Sequence, residues 1–164
     1  MIGSQAFFAS MCFLIFLNFT TYALPLSFYP ALADSLGFSK FAIGFVFSIS
    51  SVGSLICSFM LGKFMRFLPK DSLMLIFQII NSISTFLFGF MTLFMESHFL
   101  FYFLSVVLRF VNGFSMGGFF TVVYSLVPDY WPDDISRRIG NINYNLKFLF
   151  IEKVNIVSIS IQLL

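Results

Sequence analysis

Charge is what this sequence has least of. Only 10% of its 164 residues are charged, where a soluble domain carries about 25%. Nine basic and seven acidic side chains cannot cover the surface of a water-soluble fold of this size. That excludes a soluble enzyme and a soluble binding module. The net charge of +2 is too small for a partner such as nucleic acid. Cysteine is limited to Cys12 and Cys57, in different apolar segments, so neither a disulfide framework nor a metal-ligand spacing exists. The single histidine, His98, stands alone in a polar turn. There is no Ser/His/Asp set and no phosphate-binding loop, and no cofactor or metal is expected. What the chain has instead is apolar: 59% hydrophobic residues, 27 of them Phe, with mean hydropathy +0.98. Such a chain is not disordered. Its solvent is the lipid bilayer.

The few charges punctuate the sequence. Residues 1–33 carry none; Asp34 and Lys40 bracket a short connection. Residues 41–62 are charge-free, and Lys63, Arg66, Lys70 and Asp71 mark a basic connection containing Pro69. Residues 72–95 are charge-free up to Glu96, and 99–128 hold only Arg109. A membrane-crossing helix needs about 20 apolar residues. The expectation is therefore an all-α membrane protein of four transmembrane helices, at about 8–32, 41–62, 72–95 and 99–127. The runs are too long for barrel strands and do not alternate. Short connections make neighbours antiparallel. Three basic residues in the 63–71 loop, and four after residue 128 (Arg137, Arg138, Lys147, Lys153), oppose Lys40 on the other side. By the positive-inside rule both termini are cytoplasmic. Ala31-Leu32-Ala33 looks like a signal-peptidase site, but no basic segment precedes it and the apolar run is too long for a signal peptide. The tail from residue 146 is divergent: its last apolar run, 154–164, is too short to cross, and at most a partial helix is expected.

Within the spans, three faces carry information. Gly44, Ser48, Ser51, Ser54, Ser58 and Gly62 form a stripe of small residues on the second. It is either a close helix contact or a surface that slides against a moving neighbour. Asn18, Tyr22, Pro25 and Tyr29 share a face of the first, read either as one interhelical hydrogen bond or as a cavity wall. Gln78, Ser82, Thr85 and Gly89 give the third a side compatible with packing. Arg109 is the one ionisable residue inside a span, about 6 Å from the midplane of a 99–127 helix. A cation there costs a few kcal/mol and is a functional candidate. The alternative is a later helix start, with Arg109 reaching the interface. No Asp or Glu lies in any span, so these helices cannot assemble a carboxylate proton relay.

In order along the chain, these segments resemble the N-terminal part of a major facilitator superfamily transporter. Leu17-Asn18-Phe19-Thr20-Thr21-Tyr22-Ala23-Leu24-Pro25 is similar to that family's first-helix L-D-x-T stretch ending in A-L-P. Leu36-Gly37-Phe38-Ser39 with Ile43-Gly44 resembles the start of helix 2. Gly62 to Lys70 stands where the family has its G-x-x-x-D-R-x-G-R loop. Arg109-Phe110-Val111-Asn112-Gly113-Phe114-Ser115-Met116-Gly117 resembles the helix-4 R-x-x-x-G-x-G motif, and Pro132 to Gly140 the helix 4–5 loop. Residues 115–132 resemble the vesicular amine transporter branch. Departures are plain. Asn18 replaces the first-helix Asp, which puts a proton-carrying role in doubt. The loop keeps Gly62, Arg66 and Lys70 but has no Asp, and Pro69 stands at its second Gly.

The resemblance implies residues 1–145 as part of an N-terminal six-helix bundle, with four of its helices. It implies transport of a small solute by alternating access, in which two bundles rock about a central site. Asn18, Tyr22, Arg109 and Asn112 would line the substrate cavity. Gly62, Arg66 and Lys70 would form the gating loop, and Gly44, Ser48, Gly113 and Gly117 the helix contacts. A second bundle or another chain would complete the transporter, since four helices alone supply no facing half. The rival expectation is a four-helix membrane scaffold without transport activity. Its usual large outer loop with Cys pairs is missing here, where the outer connections are about seven and three residues. A membrane-embedded enzyme is disfavoured by the lack of intramembrane His, Asp or Glu clusters.

Overall fold

The computed structural model describes residues 2–65, 68–94 and 96–144. Arg66 and the tail from residue 146 lie outside the described residues. Four long helices follow one another: α1 (Ile2–Ser35), α2 (Lys40–Phe64), α3 (Lys70–Phe90) and α4 (His98–Tyr130), with a 3-10 turn at Met91–Phe94 after α3. Residues 135–144 are also helical. All four long helices are apolar and long enough to cross a membrane. The chain is a multi-pass membrane protein, and its exposed Phe41, Phe59 and Phe99 are side chains that lipid solvates.

The helix ends are set by local chemistry. Gly37 takes φ 79°, which an L side chain rarely adopts. Its N–H reaches the Asp34 carbonyl at 2.9 Å, and the Phe38 N–H reaches the Ala33 carbonyl at 3.1 Å. That pair of bonds is the Schellman stop, so α1 closes just before the connection. Ser39 then caps α2, accepting from the Ala42 N–H at 3.2 Å. Each helix differs from its expected range by a few residues. α3 stops at Phe90 and tightens into a 3-10 turn where a helix to 95 was expected. α4 passes through Pro128 to Tyr130 where 127 was expected. Pro128 removes one donor, but the Trp131 N–H still closes on the Val127 carbonyl at 2.9 Å.

α4 is the hub. α2 and α3 both pack along it without a close backbone approach to each other, while α1 leans mainly on α3 and comes near α2 at few points. The α2–α4 contact is a backbone contact. A Cβ on Gly113 would overlap the Ser50 carbonyl oxygen; one on Gly117 would lie 2.5 Å from the Ser54 carbonyl oxygen, and one on Gly53 2.5 Å from that of Phe110. Gly113 and Gly117 are four residues apart, the spacing that lets two membrane helices approach closely. Gly44 and Ser48 are placed differently from expectation. Both are exposed, and a Cβ on Gly44 meets nothing within 4 Å. The face of α2 that is buried runs instead through Val46, Ser50, Gly53, Cys57 and Leu61.

The interior is layered. One apolar cluster, around Ile15, Leu61, Phe77 and Phe119, fills the end next to the α2–α3 connection. Another, around Tyr29, Val46, Phe88 and Phe101, fills the opposite end. Between them lie the buried polar residues: Asn18, Ser50, Gln78, Asn81, Ser84, Ser105, Arg109, Asn112 and Ser115. Gly113→Ala should force α2 off α4 and lower unfolding stability by about 2 kcal/mol, whereas Gly44→Ala should stay within about 0.5 kcal/mol. Denaturant titration in mixed micelles reads both; equal effects would contradict the assigned contact.

Candidate functional site in the polar layer

A polar group buried in a membrane bundle needs a partner within the protein, as Ser50, Ser105 and Ser115 find in carbonyls of their own helices. Among the described residues, four of the nine buried polar ones meet that demand through one chain of side-chain amides. Asn112 donates from Nδ2 to Asn81 Oδ1 at 2.5 Å and to Thr85 Oγ1 at 3.3 Å. Asn81 donates in turn to Asn18 Oδ1 at 3.2 Å and Thr21 Oγ1 at 2.8 Å. Asn18 donates to Gln78 Oε1 at 2.6 Å. The chain therefore stitches α4 to α3, α3 to α1, and α1 back to α3. Ser84 adds a bond to the Leu108 carbonyl at 2.8 Å.

Arg109 is different. It is 1% exposed, which decides between the two readings of its position: it does not reach out of the bundle. Nε, Nη1 and Nη2 have no hydrogen-bond partner among the described residues. Its guanidinium carbon lies 4.7 Å from the Phe47 ring centre, 5.2 Å from Phe88 and 5.4 Å from Tyr22. Three ring faces on α1, α2 and α3 thus stand in for a counter-ion, each attracting the cation through its quadrupole. Tyr29 stacks on Phe101 at 5.9 Å and contacts Phe47 and Phe88, sealing the cage on the side of the second apolar cluster.

Tyr22 belongs to two places at once. Besides facing Arg109, it lines an open groove of ≈ 400 Å³ with Ser50, Ser51, Ser54, Leu55, Gly113 and Met116. The groove lies where α1 and α2 stand apart over α4. Of the four cavity candidates from the sequence, only Tyr22 lines this groove. Asn18, Arg109 and Asn112 sit behind it, in the closed interior.

The loop candidates separate. Gly62 is exposed, and a Cβ on it would meet nothing within 4 Å among the described residues. Lys70 opens α3 and pairs with Asp129 Oδ2 at 2.5 Å, while also donating to the Ser125 carbonyl at 3.1 Å. Tyr130 donates to Asp71 Oδ2 at 3.1 Å beside it. The start of α3 is thereby tied to the last turns of α4. Sequence reasoning missed Asn81, Gly53, Phe47 and Phe88. Asn81 carried a usable signal, an amide one turn from Gln78 in an otherwise apolar run. The two Phe residues carried none among so many others.

The family model of the Major Facilitator Superfamily matches residues 11–143, a stretch that holds nearly all of the four helices. The chain belongs to the Major Facilitator Superfamily. No curated protein and no solved structure matches it. The match is to the superfamily as a whole and names no branch, the vesicular amine transporters included. Members of the Major Facilitator Superfamily are transporters, so the polar layer belongs to a membrane protein of transporter type.

A lone caged cation should weaken the structure that holds it. Arg109→Met should stabilise the bundle by about 1 to 2 kcal/mol, the burial cost less what the rings return. By contrast, a double-mutant cycle between Asn18→Ala and Asn81→Ala should give a favourable coupling of about 0.6 kcal/mol, the usual size for such bonds in membrane bundles. Micelle unfolding of the variants measures both, and a strongly destabilised Arg109→Met would show that Arg109 has a structural partner after all.

Proposed function

We propose that these four helices form part of the N-terminal bundle of a secondary transporter, one that moves a small solute by alternating access. The observation that supports this most is the burial of Arg109 with every guanidinium nitrogen unpaired, next to a groove between α1 and α2. A scaffold gains nothing from such a residue; a transporter needs a polar group deep in the bilayer that a solute can engage in passing. Arg109 engages the solute, Tyr22 stands between it and the groove, and Asn18 and Asn112 hold α1 and α4 at the site through Asn81. The exposed small residues Gly44, Ser48 and Ser51 form the face of α2 that slides against a second bundle, on this or another chain. Gly62, Arg66 and Lys70 form the gating segment on the cytoplasmic side. There Lys70 latches α3 to α4 through Asp129. Both termini are cytoplasmic on this reading, and residues 1–145 act as one unit.

Uptake into proteoliposomes or cells carrying the complete transporter tests the role of Arg109. Arg109→Ala should abolish uptake while membrane insertion is retained, and unaltered kinetics would sink the proposal. Topology is read separately. Leu68→Cys, in a background lacking Cys12 and Cys57, should react with an impermeant thiol reagent only from the cytoplasmic face. Labelling from outside would reverse the orientation.

A further inference from the structure

We propose that Arg109 receives the carboxylate of a small monoanionic solute, entering from the groove when Tyr22 swings aside. This rests on the transporter reading and adds the substrate's charge class to it. Three observations carry it. First, Arg109 presents five N–H donors in a planar fork, the shape that a carboxylate meets with two parallel bonds, and none of its nitrogens is used. Second, the bilayer-buried part of the four spans contains no Asp or Glu that could neutralise it. Aromatic faces soften the burial of a cation, but they accept no hydrogen bond from the fork's in-plane N–H groups. An anion would supply both charge and acceptors. Third, there is a way in. Tyr22 forms part of the groove wall and part of the cage, and its hydroxyl is held by a single 3.4 Å contact with Ser50 Oγ.

The surroundings also set the charge number and the body of the solute. One cation can balance one negative charge; a dianion would leave the second uncompensated in a low-dielectric interior. The groove combines hydroxyls of Ser50, Ser51 and Ser54 with Leu55 and Met116, and its ≈ 400 Å³ falls at the small end of ligand sites. A compact body with an apolar side fits it.

Calorimetry on the full chain in micelles tests the assignment, with three probes that share a phenyl ring: benzoate, benzamide and phenyl phosphate. Benzoate should bind at least tenfold more tightly than the neutral benzamide and than the phenyl phosphate dianion. Arg109→Gln should remove the preference for benzoate, and Arg109→Lys, which keeps the charge but loses the fork, should retain only part of it. The wild-type selectivity needs no variant to fold. Equal binding of benzoate and benzamide, a stronger phenyl phosphate, or benzoate selectivity that survives Arg109→Gln would each overturn the proposal. Flux measurements separate it from the transporter reading. Transport without carboxylate binding removes the anion assignment alone, and carboxylate binding in a complete protein without flux removes transport alone.

Discussion

Everything in this bundle is arranged around one constraint: polar groups placed at mid-membrane must find partners inside the protein, because lipid offers none. The chain meets it by gathering its buried polar residues into a single layer between two apolar clusters. There the amides of Asn18, Gln78, Asn81 and Asn112 answer one another across three helices. Arg109 lies in the same layer and is the exception. It is surrounded by rings, and its guanidinium has no hydrogen-bond partner among the described residues.

The two modes of helix contact divide the work. α2 is joined to α4 by backbone proximity at Gly53, Gly113 and Gly117, a contact that has no tolerance for an added methyl group. α1 and α3 are joined by side-chain hydrogen bonds, each worth less than a kcal/mol or so in a membrane, and α3 bonds to α4 in the same way, while α1 meets α4 through ring contacts such as Phe19–Phe120 and Tyr29–Phe101. α1 comes near α2 at few points, and the groove opens between them. The helix held most loosely across the groove is thus the one that carries Tyr22. Tyr22 stands apart from the glycine contact that organises the rest, between the groove and Arg109. At the far end Lys70, Asp129, Asp71 and Tyr130 fasten α3 to α4.

The four helices were legible because lipid makes long charge-free runs unambiguous. Their ends were less so. The Schellman stop at Gly37 follows from a glycine in the right place, but the 3-10 turn after Phe90 and the continuation through Pro128 depend on packing that spacing does not reveal. The small-residue stripe on α2 was visible, yet a helical wheel shows only that Gly44 and Ser48 share a side, not which neighbour lies there. α4 packs on the side of Ser50 and Gly53, and of the stripe it meets Ser54, which backs onto Gly117, and Ser58, which pairs with Thr121, while Gly44 and Ser48 stay exposed. Arg109 announced itself as the lone intramembrane charge. Its cage did not, because Phe47, Phe88 and Tyr22 come from three helices and only the fold brings them together.

Arg109 is buried, caged by rings and unpaired among the described residues, and the Nε–H resonance of that side chain reports all three. Arginine-selective nitrogen labelling of the chain in micelles, with Arg109→Lys to assign the signal, resolves it from the three other arginines. The predicted resonance is shifted by ring currents from Tyr22, Phe47 and Phe88, and exchanges with water slowly. A resonance at the position of a solvated arginine, exchanging as fast as Arg137 and Arg138, would contradict the account.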